Sequence, residues 1–136
     1  MPMKYQEVKR HHKNGGIKLH VLLDDSAMAV GEQRHYHEGG QSSWHFFRNG
    51  RKRLGEVKVF DCDGVVWFHY LTDDKGNDLA SVIEHGEPHD HTEEQLIQIA
   101  KEHGLPLLSD LPKSEEEVTL WNLKWPDLPC LPIASE

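Results

Sequence analysis

Apolar positions along the chain recur mostly with a period of two, which is the pattern of β-strands. The pattern is clearest in residues 43–71, where three apolar runs are separated by Asn49-Gly50 and Asp63-Gly64, two dipeptides typical of tight hairpin turns. We expect a three-stranded antiparallel meander here. The last run is apolar on both faces, which is typical of a central strand covered on both sides. It places His69 among apolar neighbours, so we expect this histidine to be buried and hydrogen-bonded or to lie at a cleft.

Further strands are predicted on both sides of this meander. Residues 3–11 and 17–23 flank a Gly-rich turn signal and form a first hairpin. Short runs within 27–37 are compatible with one or two more strands, and 78–83 is interpreted as the strand that completes a third hairpin. Together these runs predict an antiparallel sheet of five to six strands. No segment repeats at a fixed period, so a solenoid is not expected.

One helix is predicted strongly. Thr92 and Gln95 match a capping box, in which each side chain satisfies the other residue's free backbone N–H. An apolar stripe follows, and Gly104 stands where a left-handed residue ends many helices. The pattern therefore predicts the main helix over 92–103.

The end of the chain is less regular. Residues 114–117 match a second capping box, but 118–125 fits the period of a helix as well as that of a strand. Three proline residues then exclude regular structure and predict an extended, Pro/Trp-rich tail over 126–136. With 136 residues, the chain is expected to form a single α+β domain over 1–136.

Charge is distributed unevenly within a net charge of −8. Residues 1–60 contain eleven Lys and Arg against six Asp and Glu, a balance of +5, whereas residues 61–136 contain four against seventeen, a balance of −13. The two cysteines do not suggest a disulfide framework, and no secretory or membrane segment is evident, so a reducing cytoplasm is the expected location.

Eleven histidines suggest metal binding as one candidate function. Two His-x-His pairs, His35 with His37 and His89 with His91, could supply the three or four nitrogen ligands of a divalent metal such as zinc. A metal-bound water would then allow hydrolysis. The HExxH pattern of metalloproteases is missing, so the alternative for these pairs is a solvated strand face and a polar loop.

A compact basic tip suggests phosphate or RNA contact. Four cationic residues follow Trp44, Phe46 and Phe47 within the first turn of the meander: Arg48, Arg51, Lys52 and Arg53. Such a tip could contact phosphates while an aromatic ring stacks on a base. The acidic balance of the whole chain weighs against nucleic acid as the ligand.

The acidic half suggests docking to a basic protein, which is the leading hypothesis. Trp121 and Trp125 would serve as aromatic anchors, and the acidic cluster formed by Glu115, Glu116 and Glu117 would accelerate association. In general make-up the chain is similar to toxin-neutralising immunity proteins and phage-encoded inhibitors of host enzymes. Because no catalytic motif is present, we expect a non-enzymatic interaction module, with a metal-dependent hydrolase as the alternative.

Overall fold

The computed structural model describes residues 5–48, 50 and 52–132. Within them, an antiparallel β-sheet of eight strands is followed by two α-helices, so the predicted α+β class is confirmed. The elements in chain order are β1 (Gln6–His11), β2 (Ile17–Leu23), β3 (Ala29–His37), β4 (Gly40–Phe47), β5 (Arg53–Phe60), β6 (Val66–Thr72), β7 (Asp78–Glu84), β8 (Glu87–Pro88), α1 (Glu93–His103), a short 3₁₀ helix (Leu108–Asp110) and α2 (Glu115–Lys124).

The prediction of five to six strands was wrong, because the sheet is a continuous meander of eight strands in sequence order. The strands of the predicted meander, β4 to β6, are present, whereas β3 had been expected only as one or two short runs. Glu32 and Gln33, two of its buried positions, are each about 1% exposed, so an apolar alternation is not visible in the sequence of β3. The two-residue strand β8 was missed because of its length.

Four of the hairpin turns share one geometry. In each, the backbone N–H of the first residue donates to the carbonyl oxygen of the residue four positions later, and the fourth residue has a positive φ. The first residues are His12, Asp24, Asp61 and Asp73. In the last three, the aspartate Oδ1 also accepts backbone N–H groups within the turn. The four turns therefore share a geometry, although they do not follow one another at a fixed period along the chain.

Both ends of α1 form as predicted. The side chain of Thr92 accepts a hydrogen bond from the Gln95 N–H, the Gln95 side chain accepts one from Thr92, and Gly104 ends the helix with a φ of 64°. The ambiguous segment 118–125 is helical through Lys124, since Ser114 caps α2 by accepting from the Glu117 N–H. The described part of the chain thus has two α-helices instead of one main helix.

The helices and the segment that follows α2 pack on one side of the sheet, which we call the helix face. Phe46 and Leu54 of the sheet contact Trp121 and Leu128 there, and Leu71 contacts α1 through Leu96. His69 lies on this face as well. It is 3% exposed and hydrogen-bonded, as the sequence predicted.

A Gly-Glu pair in β5 fixes the chain that leaves α1. Gly55 has a φ of 78°, and a Cβ at this position would lie 2.4 Å from the Pro106 carbonyl oxygen. The Glu56 N–H donates to that oxygen at 3.0 Å. One oxygen of the buried Glu56 carboxylate accepts from the Leu108 N–H, and the other lies 2.5 Å from Nε2 of His69. Glu56 therefore forms hydrogen bonds to the segment after α1 through both its backbone and its side chain.

A second Gly-Glu pair, in β3, fixes the segment after α2 in the same way. The Glu32 N–H donates to the Pro129 carbonyl oxygen at 2.9 Å, and the Glu32 carboxylate accepts from the Leu131 N–H at 2.9 Å. The other carboxylate oxygen accepts from Arg34 and from the Trp44 indole N–H. Each of these two sets of hydrogen bonds, which we call the clasps at Glu56 and Glu32, holds a Pro-x-Leu segment against the helix face. The two clasps lie two strands apart in the sheet.

Residues 126–132 contain neither helix nor strand, and Leu128, Cys130 and Leu131 of this segment are buried. The last four residues of the predicted tail, 133–136, lie outside the described residues, so its extended course to the end of the chain stays a prediction. No helix within the described residues is long and apolar enough to cross a membrane.

Candidate functional site

The structure does not bring the two His-x-His pairs together as one metal site. His35 and His37 line a cavity on the sheet, whereas His89 pairs with Glu84 at 3.0 Å and His91 accepts a hydrogen bond from the Ser81 N–H. Within residues 5–48, 50 and 52–132, no group of three His, Cys, Asp or Glu side chains is arranged to hold a metal ion.

The residues predicted to dock a basic partner occupy different environments in and beside α2. Trp121 is 6% exposed, packs on Phe46 and donates its indole N–H to the Leu128 carbonyl oxygen, so it belongs to the core and is not available as an anchor. Trp125 is half-buried beside it. The three glutamates, Glu115, Glu116 and Glu117, are exposed in the first turn of α2. The exposed apolar residues of this helix are Leu120 and Leu123.

The three described cationic residues of the predicted basic tip do not form one cluster. Arg48 pairs with Asp127, and the Lys52 ammonium donates to the Lys75 carbonyl oxygen at 3.0 Å. Arg51 lies outside the described residues. Arg53 differs from the others because its side chain lies on the sheet itself and donates to the Tyr70 hydroxyl at 3.1 Å.

Arg53 belongs to the face of the sheet opposite the helices, which we call the inner face. Its central residues Gln33, His45 and Val57 are at most 1% exposed although the helices pack on the other side. Six of the seven strand pairs contain a register shift, and such bulges bend and twist strands. We conclude that the strands curl around the inner face and bury its centre themselves.

A cavity of about 390 Å³ opens on the inner face. Its basic lining comes from β3, β4 and β5 and combines residues that the sequence had suggested for two separate sites, His35 and His37 for a metal and Arg53 for phosphate. His45 completes this group, and none of the described residues that line the cavity is an Asp or Glu. We call the group of His35, His45 and Arg53 the basic seat.

His45 is the least satisfied polar side chain in the described part of the chain. It is 1% exposed, and neither of its ring nitrogens has a hydrogen-bond partner among the described residues. An unpaired buried polar group of this kind costs about 1–3 kcal/mol. The His45 ring stacks on that of His35 with 5.5 Å between the ring centroids. It packs edge-to-face against Phe47 with 4.8 Å between the centroids. A buried group left unpaired is therefore held in a fixed orientation beside a cavity.

Electrostatics in the basic seat disfavour further positive charge. Burial, the charge of Arg53 and the neighbouring His35 together lower the pKa of His45 to about 3. Burial, followed by the charge of Arg53, also lowers the pKa of His35. Among the described residues, no carboxylate lies within ion-pair distance of Arg53. The seat thus carries one uncompensated cation and two neutral imidazoles that can donate hydrogen bonds.

His45 was not predicted as a site residue, because the histidines that stand out in the sequence are those spaced closely along one strand. His45 reaches His35 only across the β3/β4 pairing, in which Gln33 is opposite His45 and Ser43 is opposite His35. The available signal was the run WHFF, where a histidine replaces an apolar residue in a strand with bulky residues on both sides.

No family model, curated protein or solved structure matches this chain in the comparisons made with them.

Proposed function

We propose that this protein binds a small ligand through an anionic group, a phosphate or a carboxylate, held in the basic seat. The observation that carries the proposal is the buried His45, whose ring nitrogens lack hydrogen-bond partners, while Arg53 beside it forms no ion pair with a described residue and no carboxylate lines their shared cavity. An anion satisfies both needs at once, because it accepts from the imidazole N–H and from the guanidinium.

The same arrangement argues against the metal hypothesis for His35 and His37. A dication placed beside Arg53 would be repelled, and the described lining of this cavity offers no carboxylate to offset that charge. Metal sites built from histidine usually include or are supported by such groups. An anion is instead attracted by the charge of Arg53 and can accept hydrogen bonds from every N–H donor of the basic seat.

The proposal predicts saturable binding of inorganic phosphate that depends on Arg53. Arg53→Gln removes the charge-assisted hydrogen bonds, which are worth about 1.5–3 kcal/mol, so affinity should fall about ten- to a hundredfold. The measurement is an NMR titration that follows the imidazole signals of His35 and His45, which an anion in the seat should shift most. Calorimetry would provide the dissociation constants.

Arg10→Gln is the matched control, since it removes the same charge from an exposed position in β1. Its phosphate affinity should equal that of the wild-type protein. An equal loss of phosphate affinity in the two variants would mean that binding depends only on the net charge of the protein. That result would contradict a binding site at Arg53. Absence of saturable binding of both inorganic phosphate and benzoate to the wild-type protein would contradict the proposal as a whole.

A second candidate function is docking of a basic protein, supported by the outer surface of α2. Leu120 and Leu123 are 65% and 74% exposed, next to the acidic first turn that contains Glu116. In this version the two leucines replace the buried Trp121 as anchors, and the glutamates attract the partner electrostatically. The surface lies on α2 and does not involve the basic seat.

This second candidate predicts that a basic, leucine-containing helical peptide binds to α2. Replacing both Leu120 and Leu123 by serine should weaken binding at least tenfold in a fluorescence anisotropy titration, because both anchors are lost. Val65→Ser serves as the control, because Val65 is an exposed apolar residue outside the helices. If the control weakens binding as much as the double variant does, the peptide has no preferred site on α2.

We also propose a reducing, cytoplasmic location. It is supported by the free thiols of Cys62, which is exposed, and Cys130, which is buried.

A further inference from the structure

Arg53 and Val59 line two cavities on the inner face at the same time. The first contains the basic seat, and the second, of about 450 Å³, extends over β6 and β7. Because these two residues are common to both, the cavities adjoin at Arg53 and Val59. Each volume is within the range typical of sites for small molecules.

The walls of the second cavity have a different chemical character from the basic seat. Phe68, Tyr70 and Ile83 provide aromatic and aliphatic surface, and Ser81 lies half-buried among them. Tyr70 is oriented by the hydrogen bond from Arg53, so the ring and the guanidinium are fixed relative to each other. A ligand anchored at Arg53 therefore meets an apolar surface directly beside its anionic group.

The second cavity also contains the carboxylates of Asp78 and Glu84. They would repel a second anionic group on the ligand and tolerate a neutral or cationic one. This charge pattern disfavours polyanions such as RNA or a nucleoside triphosphate. It favours a molecule with one anionic end.

We infer that the ligand is an organic anion with a single phosphate or carboxylate group attached to an apolar, preferably aromatic, body. The anionic group occupies the basic seat, and the body lies against Phe68, Tyr70 and Ile83. This inference rests on the proposed function, since it needs the anion at Arg53, and it adds the class of ligand.

The test compares three probes on the wild-type protein by calorimetry: inorganic phosphate, phenyl phosphate and benzoate. Phenyl phosphate should bind about tenfold or more tightly than inorganic phosphate, because the ring is removed from water against apolar walls. The comparison of phenyl phosphate with benzoate distinguishes the two anionic groups, and tighter binding of either one assigns the natural group. A second carboxylate on the ring of phenyl phosphate should weaken binding, since Asp78 and Glu84 repel it.

Two variants locate the apolar body of the ligand. Ser81→Phe fills the second cavity and should remove the advantage of phenyl phosphate while leaving the affinity for inorganic phosphate unchanged. Phe68→Ala should reduce the same advantage by removing part of the wall. Ser81→Phe keeps the test decisive if Phe68→Ala folds poorly, since Phe68 also contacts His85.

The outcomes separate the inference from the proposed function. If inorganic phosphate binds and phenyl phosphate binds no more tightly, the proposed anion binding in the basic seat is supported, but the inferred ligand class is overturned. An advantage of phenyl phosphate that persists in Ser81→Phe also overturns the inference, because the ring then lies elsewhere. If none of the probes binds, the proposed function fails and the inference fails with it.

Discussion

Gly31→Ala is expected to destabilise the protein by about 3–5 kcal/mol. Gly31 has a φ of 71°, which costs a residue with a Cβ about 1–2 kcal/mol. In addition, the new Cβ would clash with the Pro129 carbonyl oxygen, a backbone atom that cannot move without shifting its segment. That shift breaks the bonds that Glu32 makes to the Pro129 carbonyl and to the Leu131 N–H, each worth about 1–3 kcal/mol when left unpaired inside the protein.

Gly64→Ala separates the two contributions. Gly64 has a similar φ of 82°, but a Cβ at this position would have no atom within 4 Å of it, so only the backbone strain remains. We expect this control to lose about 1–2 kcal/mol. Urea unfolding of both variants measures the difference, and amide exchange of Leu131 should become faster in Gly31→Ala. Equal destabilisation of the two variants would show that the clasp at Glu32 contributes nothing to stability.

Between pH 6.5 and 4.5, the free energy of unfolding is expected to fall by about 2 kcal/mol because of His45, with a slope that approaches about 1.4 kcal/mol per pH unit in the lower half of this window. The pKa of His45 is lowered to about 3 in the folded protein and returns to about 6.5 on unfolding. Below pH 6.5 the unfolded chain therefore binds a proton that the folded chain excludes, which favours unfolding. Above about pH 7.5 the residue is neutral in both states and contributes no pH dependence.

Two neighbouring titratable groups with shifted pKa values, His35 and Glu56, do not reverse the effect of His45 on the free energy of unfolding between pH 6.5 and 4.5. His35 also has a lowered pKa and adds a slope of the same sign. Burial alone raises the pKa of Glu56, but hydrogen bonds from His69 and Leu108 outweigh it, and the net pKa lies below its usual value. Protonation of Glu56 therefore affects stability only below about pH 4.5.

Denaturant unfolding at several pH values, with His45→Gln as the test variant, measures the effect. The variant should lose the part of the slope that is due to His45, whereas His103→Gln, at an exposed position at the end of α1, should keep the full slope. An unchanged slope in His45→Gln would mean that His45 titrates normally in the folded protein. Saturating phosphate should flatten the wild-type slope, because an anion in the seat favours protonated imidazole.

The local parts of the fold could be predicted because their causes are local. The caps of α1 at Thr92 and Gly104 and the turn at Asp63-Gly64 each depend on a few adjacent residues, and they form as the sequence indicates. Asn49 of the predicted Asn49-Gly50 turn lies outside the described residues. The segment 118–125 remained ambiguous for a physical reason. As a helix it exposes Leu120 and Leu123, so its apolar residues do not lie on a single face.

The parts that could not be predicted depend on contacts between distant residues. Glu32 and Glu56 are buried because backbone N–H groups of Leu131 and Leu108 reach them, which nothing adjacent in the sequence announces. The Gly-Glu pairs that precede both contacts were the only visible signal. The site was predicted as fragments, since His35 and Arg53 were assigned to different hypotheses and only strand register places them around His45.

The sequential strand order has a consequence for the path of folding. Each strand pairs with its neighbour along the chain, so the sheet can form hairpin by hairpin with little loss of loop entropy, as synthesis proceeds from the N-terminus. The clasp between Glu32 and Leu131 instead joins residues 99 positions apart. On the ribosome, we therefore expect the sheet to assemble early with its two carboxylates still solvated. The segments that carry Leu108 and Leu131 would then bind these carboxylates in a later step.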